Sequence, residues 1–117
     1  MPRDPRMLLE DMRLALDAVE AFTQGRSEAD LYEDAMLRAA VERQFIIVGE
    51  ALAQLAHHAP EHAAQIHESR KVIAFRNVLV HGYDIVDASV VWTIVEDHAW
   101  RLRDEVTALL RSLDLDA

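Results

Sequence analysis

The 117 residues include no cysteine, 51% of them are hydrophobic and the mean hydropathy is −0.04, so the chain is of single-domain size and has no disulfide framework. A formal net charge of −9 argues against indiscriminate nucleic-acid binding, which relies on a basic surface. The longest stretch free of Asp, Glu, Lys and Arg is the ten residues Ala51–Pro60, far short of the ~20 that a membrane span needs.

The N-terminal residues Met1-Pro2-Arg3-Asp4-Pro5-Arg6 are charged and lack an apolar signal core, so a cytoplasmic protein is expected. Leu8, Met12, Ala15, Val19 and Phe22 then step by four and three, which predicts a first helix from about Asp4 to Thr23. Gly25 allows a turn, and Ser27-Glu28-Ala29-Asp30 reads as a capping box opening the next helical segment. From Leu31 or Asp34 to His57 one apolar stripe runs through Leu37, Val41, Phe45, Val48, Leu52 and Leu55. Met36, Ala40, Ile47 and Ala51 form a second. Two apolar faces imply burial on two sides, inside a bundle or between subunits, and Gly49 in that helix implies the close approach of another one.

Pro60 interrupts the pattern and can begin a short helix. Ser69 is the expected cap of a further helix, whose apolar residues Val72, Ile73, Phe75, Val78, Leu79 and Val80 cover over half its circumference; most of it should be buried. Gly82 ends that helix. Asp87 caps a last one, in which Val91, Val95, His98, Leu102, Val106, Leu109 and Leu113 form a single stripe. Nothing outweighs helix anywhere, and the expected fold is an all-α bundle of four to five helices in one domain, 1–117.

The candidate chemistry lies in Arg76-Asn77-Val78-Leu79-Val80-His81-Gly82-Tyr83. Arginine grips phosphate oxygens with a planar fork, and histidine moves protons near neutral pH. Together they suit metal-independent cleavage of a phosphodiester. The segment Ser69–Tyr83 carries Arg70, Lys71 and Arg76 with no acid, a local +3 that leaves −12 on the remainder. An acidic body with one basic segment beside His81 fits an anion site. Arg70 and Lys71 read either as phosphate-tracking charges or as a solvated face, and Asn77 either as a group orienting the histidine or phosphate or as a surface amide.

The spacing R-x4-H-x-Y, with the flanks Glu42-Arg43, Gly49-Glu50-Ala51 and Val91-Trp92, resembles the HepT-like toxins, a branch of the HEPN superfamily of all-helical ribonucleases. The resemblance runs from about Arg6 to Leu110. It implies a homodimeric HEPN-like bundle that acts as the toxin of a toxin–antitoxin pair and cuts RNA without a metal or cofactor. His81 would help deprotonate the 2′-hydroxyl or protonate the 5′-oxygen, and Arg76 would neutralise the scissile phosphate. The expected products are a 2′,3′-cyclic phosphate or 3′-phosphate and a 5′-hydroxyl. It further implies that Tyr83 accepts AMP from a partner, a minimal nucleotidyltransferase antitoxin of the MNT type, which silences the toxin.

Residues five apart on a helix differ by about 140° and ~7.5 Å of rise, so Arg76 and His81 share no helix face. They meet only if His81 leaves the helix near Gly82 or if two copies face each other. The rival reading is a non-catalytic nucleotide- or substrate-binding subunit of a minimal nucleotidyltransferase, for which an intact Arg and His are not needed; a purely scaffolding dimer is a third. Glu42, Arg43 and Glu50 are expected in ion pairs or dimer contacts. His57, His58, His62 and His67 straddle Pro60 and are not expected to bind metal. Trp92 and Trp100 are expected to pack in a core or interface.

Overall fold

The computed structural model describes residues 4–82 and 86–116. Seven helical segments follow one another among them: α1 Pro5–Thr23, α2 Glu28–Glu33, α3 Ala35–His58, α4 Pro60–Ala63, α5 Ser69–His81, α6 Ala88–Asp97 and α7 Ala99–Asp116. The described residues contain no strand. No helix among them is long and apolar enough to cross a membrane. The all-α expectation holds, and the count among the described residues exceeds the four or five helices anticipated because the segment opened by Ser27 and the last helix each divide in two.

Local chemistry explains most of the boundaries. Asp4 accepts a hydrogen bond from the Arg6 N–H at 2.8 Å and Pro5 occupies the first helical position, where its missing N–H costs nothing. Ser27 and Asp30 form the expected capping box: the Asp30 N–H donates to Ser27 Oγ at 3.2 Å and the Ser27 N–H donates to Asp30 Oδ2 at 2.9 Å. Asp34 ends α2 and caps α3 through the Leu37 N–H at 3.0 Å, so a helical segment with an uncertain start resolves into two helices. Asp87 caps α6 by accepting from the Ser89 N–H at 2.9 Å, and that hydrogen bond holds its carboxyl below the usual aspartate range.

α3 is the central element, with α1 on one side and α5 on the other, as its two apolar faces require. α7 closes the bundle against α1, and α6 spans α2 and α7. Leu8, Met12, Ala15 and Val19 of α1 are buried together with Leu9 and Leu16, which widen the stripe; Phe22 is 39% exposed and lies outside it. Leu37, Val41, Phe45, Val48, Leu52 and Leu55 are all buried. The second stripe is buried only toward its end: Ala51 is in the core, whereas Met36 in the first turn is 84% exposed.

Three expectations change. The last helix is two, because the chain breaks at His98 (φ −124, ψ −38), whose Nδ1 lies 3.0 Å from Glu68 Oε2. The apolar stripe survives the break, since Val91, Leu102, Val106 and Leu109 are still buried. Ser69 is the first residue of α5 and not its cap; Glu68 holds the cap position without a side-chain hydrogen bond. Most important, no residue of α5 is buried in the single chain, and Val78 and Val80 remain 55% and 48% exposed. One face of this helix packs on α3, and its remaining apolar residues face outward.

Candidate functional site

α5 carries the motif, and its geometry divides it. The helix is regular through His81 and ends at Gly82, whose φ of +60 is a left-handed conformation that glycine adopts without strain. The Gly82 N–H still donates to the Val78 carbonyl at 3.3 Å. His81 therefore does not leave the helix to approach Arg76. The first of the two ways of joining them is closed within one chain.

Arg76 lies on the inward side. Its stem packs on Gly49 of α3, so closely that a Cβ added there would stand 2.2 Å from Arg76 Cβ and 2.7 Å from its Cγ. The same added atom would be 3.4 Å from the Val72 carbonyl oxygen. This is the close helix approach that a glycine in the interior of α3 implies, and the approaching helix is α5 of the same chain. Arg76 Nε is buried and has no hydrogen-bond partner among the described residues. A buried guanidinium N–H without an acceptor is costly, and an anion brought to it would supply one.

The arginine borders a shallow, open depression of about 430 Å³, lined also by Glu50, Ala53, Gln54, His57 and His58 of α3. Glu50, Gln54 and His57 are spaced by four and three residues and form one stripe along that helix. His81 is not among the lining residues.

Asn77 and His81 are four apart and Arg70 precedes Asn77 by seven, so the three share the outward face of α5, where all are exposed. Lys71 is also exposed, its Nζ 3.8 Å from Glu68 Oε1. A more enclosed cavity of about 230 Å³ lies by the first turns of α5 and the α6–α7 junction; it includes Lys71, Phe75 and His98 but neither Arg76 nor His81. Tyr83, the expected AMP acceptor, lies outside the described residues.

The other singled-out residues take structural places. Glu42 is half-buried, and burial pushes its carboxyl up while Arg38, 4.0 Å away, pulls it partly back. Arg43 and Glu50 are exposed in the single chain. Trp92 packs against the core, but Trp100 is 52% exposed, with the Arg101 guanidinium 5.8 Å from its ring centre. Among the described residues no three His, Asp or Glu side chains gather in a group able to hold a metal ion. His57 and His58 instead face one another edge-on, ring centres 4.7 Å apart. Sequence reasoning set this pair aside as part of a metal decoy and did not connect it with Arg76. The i, i+4, i+7 stripe from Glu50 to His57 was the available signal.

Comparison with known proteins bears on what this arrangement belongs to. The family model "Ribonuclease HepT-like" matches residues 12–109, a span that holds Gly49, Arg76 and His81. A Methanocaldococcus jannaschii protein named "Gamma-glutamylcyclotransferase and putative RNase" is 25% identical over 114 residues, covering 97% of this chain but 51% of that protein. A second protein from that organism, named "Putative RNase", is 27% identical over 104 residues, 89% of this chain and 94% of its own length. "Probable ribonuclease HepT" of Thermococcus cleftensis is 30% identical over 100 residues, 83% and 87% of the two chains. The chain thus spans about half of the first relative and most of the other two. No solved structure matches it significantly. With an all-helical bundle, the R-x4-H motif at the end of α5 and a match across most of its length, this chain belongs to the HepT-like ribonuclease family.

Proposed function

We propose that this chain is a metal-independent endoribonuclease, the toxin of a toxin–antitoxin pair, acting in the cytoplasm as a homodimer of single 1–117 domains through Arg76 and His81. The observation that carries the reading is Arg76 itself: its stem is seated on Gly49, its Nε is buried without an acceptor among the described residues, and the side chain borders an open surface depression beside α3. A purely structural arginine would be expected to have its buried N–H satisfied. A homodimer is supported by the regular helix, which holds Arg76 and His81 about 140° apart in one chain. It is supported also by the apolar surface that Val78 and Val80 leave open near His81.

In this reading the phosphate binds to Arg76, the 2′-oxygen attacks phosphorus and the 5′-oxygen leaves, giving a 2′,3′-cyclic phosphate and a 5′-hydroxyl. Arg76 offsets the charge that builds on the non-bridging oxygens. His81 transfers a proton at one of the two oxygens, and Asn77, on the same face four residues earlier, orients it or the phosphate. Arg70 and Lys71 attract the neighbouring phosphates, a local attraction within an acidic protein. Purified protein incubated with RNA in excess chelator tests the proposal directly. Cleavage to 5′-hydroxyl ends is expected; dependence on an added divalent metal overturns it. Binding of nucleotides without cleavage favours the rival reading, a non-catalytic subunit of a nucleotidyltransferase.

Silencing belongs to the same proposal. Tyr83 follows His81 by two residues, and AMP attached there would add a negative charge and the bulk of adenosine next to the site. Tyr83→Phe keeps the ring and removes the acceptor oxygen. When the protein is co-expressed with a cognate minimal nucleotidyltransferase, intact-mass measurement is expected to show an AMP adduct on the parent and none on the variant. Undiminished labelling of Tyr83→Phe would place the acceptor elsewhere.

A further inference from the structure

The cavity at the start of α5 is built differently from the open depression beside Arg76. Phe45 of α3 borders it and meets Phe75 of α5 edge-on, ring centres 5.8 Å apart. Val72 and Phe75 line it from α5, and Ile94 and Leu102 line it from the two sides of the α6–α7 junction. Two polar contacts tie these elements together. His98 Nδ1 lies 3.0 Å from Glu68 Oε2, and the His67 N–H donates to Glu105 Oε2 at 2.7 Å. Both carboxylates that border the cavity are thereby engaged. Its two cations are less committed. Lys71 Nζ stands 3.8 Å from Glu68, and Arg101 makes no ion pair among the described residues, its guanidinium lying 5.8 Å from the centre of the Trp100 ring. The charge left to meet a ligand is positive, on a chain whose net charge is −9.

Size and lining narrow the ligand further. About 230 Å³ is less than the ~300–1,000 Å³ usual for drug-sized ligands, so the cavity suits a body of one or two rings. The paired phenylalanines favour an aromatic body through burial and edge-to-face contact. A ligand cation would meet two acids already in use, and an uncharged polar ligand would leave its hydrogen bonds unmet against apolar side chains. We propose that this cavity is a binding site for a small aromatic carboxylate, its ring between α5 and the α6–α7 junction and its carboxylate at the mouth beside Lys71 and Arg101. Neither Arg76 nor His81 lines it, and the inference stands independently of the ribonuclease reading. Such a ligand bridges α5 to α6 and α7, and stabilises the fold in proportion to its occupancy.

The test titrates 1-naphthoate into the full chain and follows methyl NMR signals. One saturable site per chain is expected, with a Kd below about 1 mM and the shifts concentrated at Val72, Ile94 and Leu102. 1-Naphthylmethylamine, the same rings with the opposite charge, should bind at least ~10-fold more weakly. The double variant Lys71→Gln/Arg101→Gln should weaken naphthoate binding by about 10-fold and leave neutral 1-naphthalenemethanol within about twofold of the parent. Both residues are exposed, so this variant is expected to fold. Ile94→Trp fills the cavity and should abolish saturable binding; if it fails to fold, the charge variant still decides. No saturable binding up to about 5 mM overturns the proposal, as do shifts gathered elsewhere, an amine that binds as tightly as the acid, or a double variant that binds naphthoate like the parent. Binding that appears only when the assembled protein is diluted would show that a second copy fills the cavity, and overturns it equally.

Discussion

Arg76→Ala and His81→Ala should each abolish RNA cleavage, by ~10²–10³-fold or more for the arginine and ~10²–10⁴-fold for the histidine. Both variants should remain folded, with thermal transitions close to that of the parent. His81 is exposed at the last residue of α5, and Ala at position 76 keeps the Cβ that rests on Gly49 while removing an unsatisfied buried N–H. Cleavage by either variant at the parent rate would remove the basis for the site.

The same pair tests the shared groove. Co-refolding the two inactive variants in equal amounts should restore about one quarter of parent activity, because half of the dimers are mixed and each mixed dimer holds one intact site of two. In such a dimer the Arg76 of one chain meets the His81 of the other. If each chain instead used its own Arg76 and His81, the mixture would stay inactive. Within one chain the angular separation on a regular helix already opposes that arrangement.

The sequence carried the fold through periodicity and capping. The core stripe of α3, the capping box at Ser27 and Asp30 and the glycine stop at Gly82 are all local signals, and each is present in the structure. What it did not carry depends on packing between distant segments. The break at His98 lies within an unbroken apolar stripe, so no periodicity marks it; Glu68, thirty residues earlier, provides the partner that accompanies the break. The exposure of α5 was illegible for a related reason. An apolar residue reports that it can be buried, not what buries it, and among the described residues Val78 and Val80 stay about half exposed. The motif was visible as spacing. That Arg76 turns toward α3 while Asn77 and His81 turn outward depends on how α5 lies across Gly49, and the depression beside it appears only after that contact is made.

Gly49→Ala follows from that contact as the most disruptive small substitution available. Alanine is the better helix former by about 1 kcal/mol, so on propensity alone the variant would be more stable. Space decides otherwise. The new Cβ would lie 2.2 Å from Arg76 Cβ, an atom fixed to the backbone of α5 that no rotamer change can move. Restoring an ordinary carbon–carbon contact of about 3.7 Å requires α5 to withdraw by about 1.5 Å. Overpacking of this kind typically costs ~1–3 kcal/mol, which exceeds the propensity gain, so a lower thermal midpoint is expected. Cleavage should fall further than stability, by ~100-fold, because the withdrawn helix carries Arg76 away from its seat on α3 by a distance that catalysis does not tolerate. The double variant Gly49→Ala/Arg76→Gly separates the causes. Removing the opposing Cβ should relieve the clash, leaving the pair less destabilised than the sum of the single changes, while cleavage stays absent because the arginine is gone. Strict additivity in thermal unfolding would show that α3 and α5 do not meet at these two residues, and the seat proposed for the phosphate-binding arginine would go with them.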